Sequence, residues 1–348
     1  MGDPAGVGPE TIVGAWGNPS LHAACRAVVM GHPVVLQRAA RLLGSSCEVV
    51  EVTAPDLIAS DARTLPCFRC VAQSATEVEP ASHDPAGGRA ACDAVAFATR
   101  WALENQVDGI TTAPLNKSSL AAAGYDCPGH TELLARLCGV SDVAMMLYLL
   151  PGGRVSGPGG LGVVHVTLHM ALREIFPHLT PQAILSRARL ADAVMREFLR
   201  DGAPARPPRI GVCALNPHAG EQGLFGDEEL TCIRPAVERG VGEGLNLVGP
   251  LPADTLMGRA VAGEFDAVVA MYHDQGHIAL KVVDMYRAVN ITLGLPIVRT
   301  SVAHGTAFDL AWQGRAESAG MVTAVRTCAL LARQRRPQHL HATPVSTT

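Results

Sequence analysis

Short apolar runs alternate with longer amphipathic stretches along most of the chain. Runs of four to eight apolar residues bounded by turn formers read as buried strands, and apolar positions at helical spacing read as helices. On this pattern strands are predicted over 26–30, 47–52, 108–112, 143–150, 162–168, 210–215, 245–248, 265–272 and 289–293. Helices are predicted over 34–43, closed by Gly44, over 88–104, from Thr180-Pro181 to about Leu199, and over 318–333. Thr180 and Pro181 make a good cap and first-turn pair. Strands alternating with helices predict an α/β architecture. No internal repeat or single linker is visible. The segment 151–160, with five glycines and two prolines, reads as a hairpin tip or a mobile flap. The tail 335–348 lacks periodicity and is expected to be disordered.

Composition narrows the class. At ~150 residues per domain, 348 residues suggest two domains. Apolar residues make up 48% and charged residues 17%, which excludes wholesale disorder. Lys plus Arg is 28 and Asp plus Glu is 32, so the net charge is −4, opposite in sign to most nucleic-acid binders. No apolar run reaches the ~18 residues of a membrane span, and no signal peptide is visible, because MGDPAGVGPE is turn-forming and not an apolar core. Ten scattered cysteines suit reduced thiols and a cytoplasmic protein.

Two common motifs carry little. Gly157, Gly159 and Gly162 spell GxGxxG but precede a strand instead of following one, so they read as a loop. Cys67 and Cys70 form a lone CxxC that reads as an ordinary hairpin.

The segment Gly2–Glu10 is more telling. Three glycines and two prolines in nine residues predict irregular backbone that lets N–H groups approach an anion or cofactor. His169, His218 and His273 each follow a predicted strand, at the sheet edge where ligands bind in open α/β folds. Three imidazoles converging there could hold one divalent metal, although spacings of 49 and 55 residues match no local metal motif. Lys281, Asn290 and Arg299 are candidate anion contacts. His130 and Thr131 open a predicted helix, whose free amides suit a phosphate or carboxylate. The run His304–Asp309 is predicted as a loop leading into a helix.

Together these pieces resemble the PdxA family, the 4-hydroxythreonine-4-phosphate dehydrogenases. The matching segments are GDPAGVGPE at 2–10, TTAPLNK at 111–117, PGHTE at 128–132, LNPHAGE at 215–221, GPLPADT at 249–255, MYHDQG at 271–276 and VNITLGLP…RTS…HGTA at 289–307. The resemblance implies a two-domain fold like isocitrate and isopropylmalate dehydrogenases, with 1–348 as one unit of two α/β lobes and a cleft active site. It implies a homodimer whose site is shared across the interface, and NAD or NADP as cofactor. It implies His169, His218 and His273 as metal ligands, and His130, Thr131, Lys281, Asn290 and Arg299 as substrate contacts. His304, Gly305 and Thr306 resemble an adenosine-binding loop, and Asp254 falls close to the expected site. Lys117 is added as a proton-transfer residue by analogy with the wider fold group. The metal is zinc, cobalt, nickel, manganese or magnesium, with imidazole ligands suiting magnesium least.

Two departures stand out. The family has a few apolar residues before the GDP loop that form a first strand, so this sequence, starting at Met1, is expected to lack it. Biosynthetic members carry Leu or Val after HDQG, where this chain has His277; HDQGHI and VHVTLH resemble side branches of the family. One branch acts on 4-phospho-threonate or -erythronate, and another oxidises the cis-dihydrodiol of terephthalate. Asn290 and Arg299-Thr300-Ser301 favour a phosphorylated substrate. The expected reaction is oxidation of a hydroxyl followed by decarboxylation of a β-keto acid. Competing classes are a non-catalytic metal- or phosphate-binding protein and an acyltransferase of related fold.

Overall fold

A computed structural model describes residues 1–54, 61–127, 129–200 and 206–335. Its helices are α1 (Gly8–Trp16), α2 (Pro19–Ala24), α3 (Pro33–Leu42), α4 (Pro85–Leu103), α5 (Lys117–Ala122), α6 (His130–Cys138), α7 (Pro181–Phe198), α8 (Arg234–Gly242), α9 (Ala253–Val261), α10 (His273–Asp284) and α11 (Ala319–Arg335). Its strands are β1 (Val29–Gly31), β2 (Glu48–Val52), β3 (Thr64–Arg69), β4 (Ile110–Thr112), β5 (Ala144–Leu149), β6 (Leu161–His165), β7 (Arg209–Cys213), β8 (Asn246–Leu251), β9 (Ala267–Ala270), β10 (Val289–Leu293) and β11 (Arg299–Val302). The α/β class follows from the alternation, and one strand, Val289–Leu293, matches its predicted bounds residue for residue.

The strands form two sheets. The smaller has the order β1-β3-β2 and is parallel. The larger has the order β4-β11-β10-β5-β6-β9-β7-β8. In it β6, β9, β7 and β8 run parallel, while β5 and β10 are joined antiparallel. β5, β6 and β9 are buried almost end to end, as strands covered on both faces must be. α7, α8 and α11 pack on one face, with Phe198 stacked on Tyr148 at 4.2 Å. α9 and α10 pack on the other through Leu256, Ala260 and Leu280. Thr180 caps α7 as predicted, its Oγ1 accepting the Ala183 amide at 3.1 Å.

The structure corrects several expectations. GDPAGVGPE is not irregular throughout, because Gly8, Pro9 and Glu10 form the first turn of α1. Proline suits that turn because its missing N–H has no helical partner there. Cys67 and Cys70 are not in a hairpin: Cys67 lies in β3, the middle strand of a parallel sheet, and both thiols are free. The 304–309 loop leads into turns, and the next helix starts only at Ala319. The first predicted strand begins at Val29, not Arg26. The 151–160 segment is a hairpin connection between antiparallel β5 and β6, anchored where the Tyr148 hydroxyl donates to the Gly159 carbonyl. Arg335 closes α11 and bonds Glu197; residues 336–348 of the expected tail lie outside the described residues.

β1 and β4 each have one free edge. Between them lies a cavity of about 560 Å³, lined by Val28–Met30 and Gly109–Thr112 among others. The Met1 ammonium donates to the Met30 carbonyl at 2.9 Å, and the Asp3 amide donates to the Pro114 carbonyl at 3.0 Å. The first residues therefore span the two edges, and among the described residues no strand lies between them.

Candidate active site

β6, β9, β7 and β8 are parallel neighbours, so the residues after their C-terminal ends share one edge of the sheet. β6 leads to His169, β9 to His273 at the start of α10, β7 to His218, and β8 to Asp254 in the first turn of α9. Only two of the three histidines meet. The rings of His169 and His273 are 5.8 Å apart, centre to centre. Partial burial, then the charge of Lys117, holds His169 below its ordinary pKa, which favours the neutral, metal-binding imidazole. His273 pairs Nδ1 with Asp274 at 2.6 Å, which leaves Nε2 to face a ligand. His218 stands apart. Its backbone is left-handed (φ 54°), within a run of such residues from 218 to 222, and its ring lies 6.4 Å from that of Phe225. Among the described residues no three His, Cys, Asp or Glu side chains are arranged to hold one metal ion. The donor set of one chain therefore fits two positions of a metal's shell. Asp254 is exposed and makes no side-chain hydrogen bond or ion pair with a described residue.

Behind the pair lie two histidines not singled out as site residues. His277 Nδ1 and His165 Nε2 are 3.1 Å apart, and His277 stacks on His273 at 3.8 Å. Burial pushes His165 down to about 3 and His277 to about 4, so both are neutral. The sequence marks these positions only as the departures HDQGHI and VHVTLH.

A second group forms on one face of β10, β11 and β4. Ile110 is the cross-strand partner of Arg299, Thr292 follows the Ile291–Thr300 pair on β10, and Thr112 lies two residues beyond Ile110. Arg299 is buried; its Nη1 donates to Thr292 Oγ1 at 2.9 Å and its Nη2 to Thr112 Oγ1 at 2.6 Å. Its Nε is buried without a partner, and no described carboxylate lies within ion-pair distance. Burial holds the guanidinium at about 10. Nearby, His130 opens α6 with its Nε2 buried and unpartnered. Burial and the Arg299 charge hold it well below its ordinary pKa. Thr131 follows in the same first turn. Asn290 shares the Thr292 face; its Nδ2 donates to the Val302 carbonyl at 3.3 Å and its Oδ1 is buried and unpartnered. Lys117 opens α5 beside this group: a Cβ at Gly129 would lie 4.0 Å from Lys117 Cε and 3.3 Å from Glu132 Oε2. Glu132, which the sequence reading passed over, thus borders the site. Lys281 is half-buried on α10, one turn beyond His277.

His304 and Gly305 are exposed, and Thr306 is half-buried. None of the amides from 304 to 308 donates to a described residue. That leaves a row of free donors, which suits the acceptor edge of an adenine or a phosphate.

Paired imidazoles at a strand-end edge and a buried, unpaired guanidinium in the same sheet define an α/β protein with a candidate small-ligand site. Comparison with known proteins narrows this: the chain belongs to the family described as pyridoxal phosphate biosynthetic protein PdxA, which it matches over residues 23–328. It is 41% identical over 333 residues to a 4-hydroxythreonine-4-phosphate dehydrogenase of Geobacter metallireducens, covering 96% of this chain and 94% of that protein. It is 42% identical over 336 residues to a D-threonate 4-phosphate dehydrogenase of Cupriavidus necator, covering 96% of each. A solved structure of 4-hydroxythreonine-4-phosphate dehydrogenase from Klebsiella pneumoniae superposes with a TM-score of 0.83 at 39% identity, covering 95% of this chain and 98% of that one.

Proposed function

We propose that this chain is a cytoplasmic, NAD- or NADP-linked dehydrogenase. Its substrate is a small 4-phosphorylated hydroxy acid, 4-phospho-hydroxythreonine or 4-phospho-threonate or -erythronate. The resulting β-keto acid loses CO2. The observation that carries this reading is Arg299. A buried guanidinium bonded only to two threonine hydroxyls is an uncompensated charge. A phosphate neutralises it and matches its fork with two parallel hydrogen bonds. His130, Thr131, Asn290 and Lys281 complete the anionic end of the site. The two relatives named above both act on 4-phosphates.

In the reaction, hydride would pass from the hydroxyl-bearing carbon to a nicotinamide dinucleotide whose adenosine end is held at His304, Gly305 and Thr306. Lys117 is the proposed proton-transfer residue for the hydroxyl. The bond to the carboxylate then breaks, CO2 leaves, and the enol carbon takes a proton. Asp254 is the second proposed proton-transfer group. His169 and His273 would hold a divalent ion (zinc, cobalt, nickel, manganese or magnesium), with His218 supplied across a dimer interface as the third ligand. Such an ion supplies Lewis-acid stabilisation of negative charge on substrate oxygens.

A homodimer with shared sites accounts for the isolation of His218 within one chain. It is supported by α10, where Ile278 and Val282, with Met285 and Tyr286 just beyond the helix, form an apolar stripe more than half exposed. Such a patch beside a site marks an interface. No helix among the described residues is long and apolar enough to cross a membrane.

The test is a substrate panel followed by nicotinamide absorbance, with wild type and Arg299→Ala. Wild type should turn over a 4-phosphorylated acid, and the variant should keep its metal while KM rises. Turnover of the terephthalate dihydrodiol, indifference to phosphorylated acids and tolerance of Arg299→Ala together would assign the other branch.

A further inference from the structure

Glu10 sits in the first turn of α1 and is buried. No ion pair reaches it among the described residues. Both its oxygens are instead spent on distant backbone: Oε2 accepts the Trp312 amide at 2.5 Å and Oε1 accepts the Gly314 amide at 2.8 Å. Bonds from amides to a carboxylate are charge-assisted and among the stronger hydrogen bonds of a fold.

The segment Glu10 grips is strained. Trp312 has φ 58° and Ala307 has φ 43°, in the left-handed region that side chains other than glycine and asparagine rarely adopt. Such backbone persists only where its surroundings over-determine it. Here they do. The Trp312 indole donates to the Pro4 carbonyl at 2.8 Å, and the Arg38 guanidinium lies 4.3 Å over its ring. At the other end the Val7 amide donates to the Thr306 carbonyl at 3.0 Å. A Cβ on Gly6 would come within 2.9 Å of Thr306 Cβ, so that contact requires glycine. Residues 4–10 therefore clamp both ends of the 306–314 loop, while the amides of 304–308 stay free.

We infer that Glu10 is a positioning residue for the dinucleotide: its carboxylate holds the 306–314 loop in the conformation that presents the free amides to the cofactor. The inference rests on the proposed cofactor role of His304, Gly305 and Thr306. Glu10 itself touches neither cofactor nor substrate. Without the carboxylate, fewer chains hold the competent loop, and the apparent Kd rises in inverse proportion to that fraction. If a tenth of chains remain competent, the rise is about tenfold.

The experiment uses the full chain as Glu10→Gln, which keeps the shape and one acceptor, and Glu10→Ala, which keeps neither. Titration calorimetry reads the Kd of NADH or NADPH, whichever binds wild type more tightly, and separately that of the phosphorylated acid. Hydrogen exchange reads the Trp312 and Gly314 amides. The expected result is a dinucleotide Kd raised about tenfold in Glu10→Ala and less in Glu10→Gln. Both amides should exchange faster, and binding of the acid should be unchanged. Thr306→Arg, which places bulk at the cofactor contact, serves as comparator. If it abolishes dinucleotide binding while both Glu10 variants bind normally, the inference is overturned and the cofactor assignment stands. If Thr306→Arg binds normally, the assignment falls and the inference with it. Equal weakening of dinucleotide and acid in Glu10→Gln would reduce Glu10 to a general structural role and overturn the inference. Should Glu10→Ala fail to fold, Glu10→Gln decides alone.

Discussion

Replacing Arg299 with methionine should pull stability and function in opposite directions. The guanidinium is held at about 10 against an ordinary 12.5. At ~1.36 kcal/mol per pKa unit, that drop corresponds to about 3 kcal/mol of cost to the ligand-free fold. The sign follows from the direction of the shift. A base whose folded pKa is lowered resists its own charge, so the cost is present in full below about pH 10 and is relieved only as pH rises through that value. Methionine keeps much of the stem's volume and removes the charge, and it forfeits the bonds to Thr292 and Thr112, worth ~1 kcal/mol each. The ligand-free variant should therefore be as stable as wild type or up to about 2 kcal/mol more so, in line with other replacements of buried charge. Binding should move the other way. A hydrogen bond to a charged group is worth about 1.5–3 kcal/mol, so KM for the phosphorylated acid should rise roughly 10- to 150-fold. Inorganic phosphate should raise the Tm of wild type and leave the variant unmoved. Urea denaturation without ligand and initial rates at 340 nm measure the two effects. A variant several kcal/mol less stable with an unchanged KM would make Arg299 a core structural group and refute the reasoning.

Three further outcomes are expected. His218→Ala and His273→Ala should each lose metal and activity, yet mixed dimers should regain up to roughly a quarter of wild-type activity, because half the dimers then carry one intact site; no recovery on mixing would mean the site is not shared. Ile278→Asp with Val282→Asp should yield monomers by light scattering, whereas a persisting dimer would move the interface off α10. His32 is buried and caps α3, with Nδ1 accepting the Val34 amide at 3.2 Å and Nε2 facing Gln73 at 3.1 Å, and burial lowers its pKa. A histidine that stays neutral in the fold makes stability fall as pH drops below ~6.5, where the unfolded chain takes up the proton; urea midpoints at pH 7.5 and 5.5 should converge in His32→Asn, which keeps the cap.

Nine of the eleven described strands and the helices α3, α4, α7 and α11 were legible along the chain, because the two apolar periods are local properties. Val289–Leu293 and the Thr180 cap are legible for that reason. The placement of His169, His218 and His273 after strands was equally legible. The exceptions were elements whose local signals mislead. GDPAGVGPE hides the start of α1 because glycine and proline also serve a first helical turn, and Cys67 sits in a central strand that no short-range signal distinguishes from a hairpin. Glu132, His165 and His277 were missed as site neighbours because their significance lies in what they touch. That His169 meets His273 while His218 does not came from packing alone, since adjacency depends on strand order and on the left-handed turn after β7. Packing also buries Arg299 without a carboxylate and lets Glu10 reach across some three hundred residues to Trp312. Burial and long-range pairing arise from how the elements pack, and no window along the chain contains them.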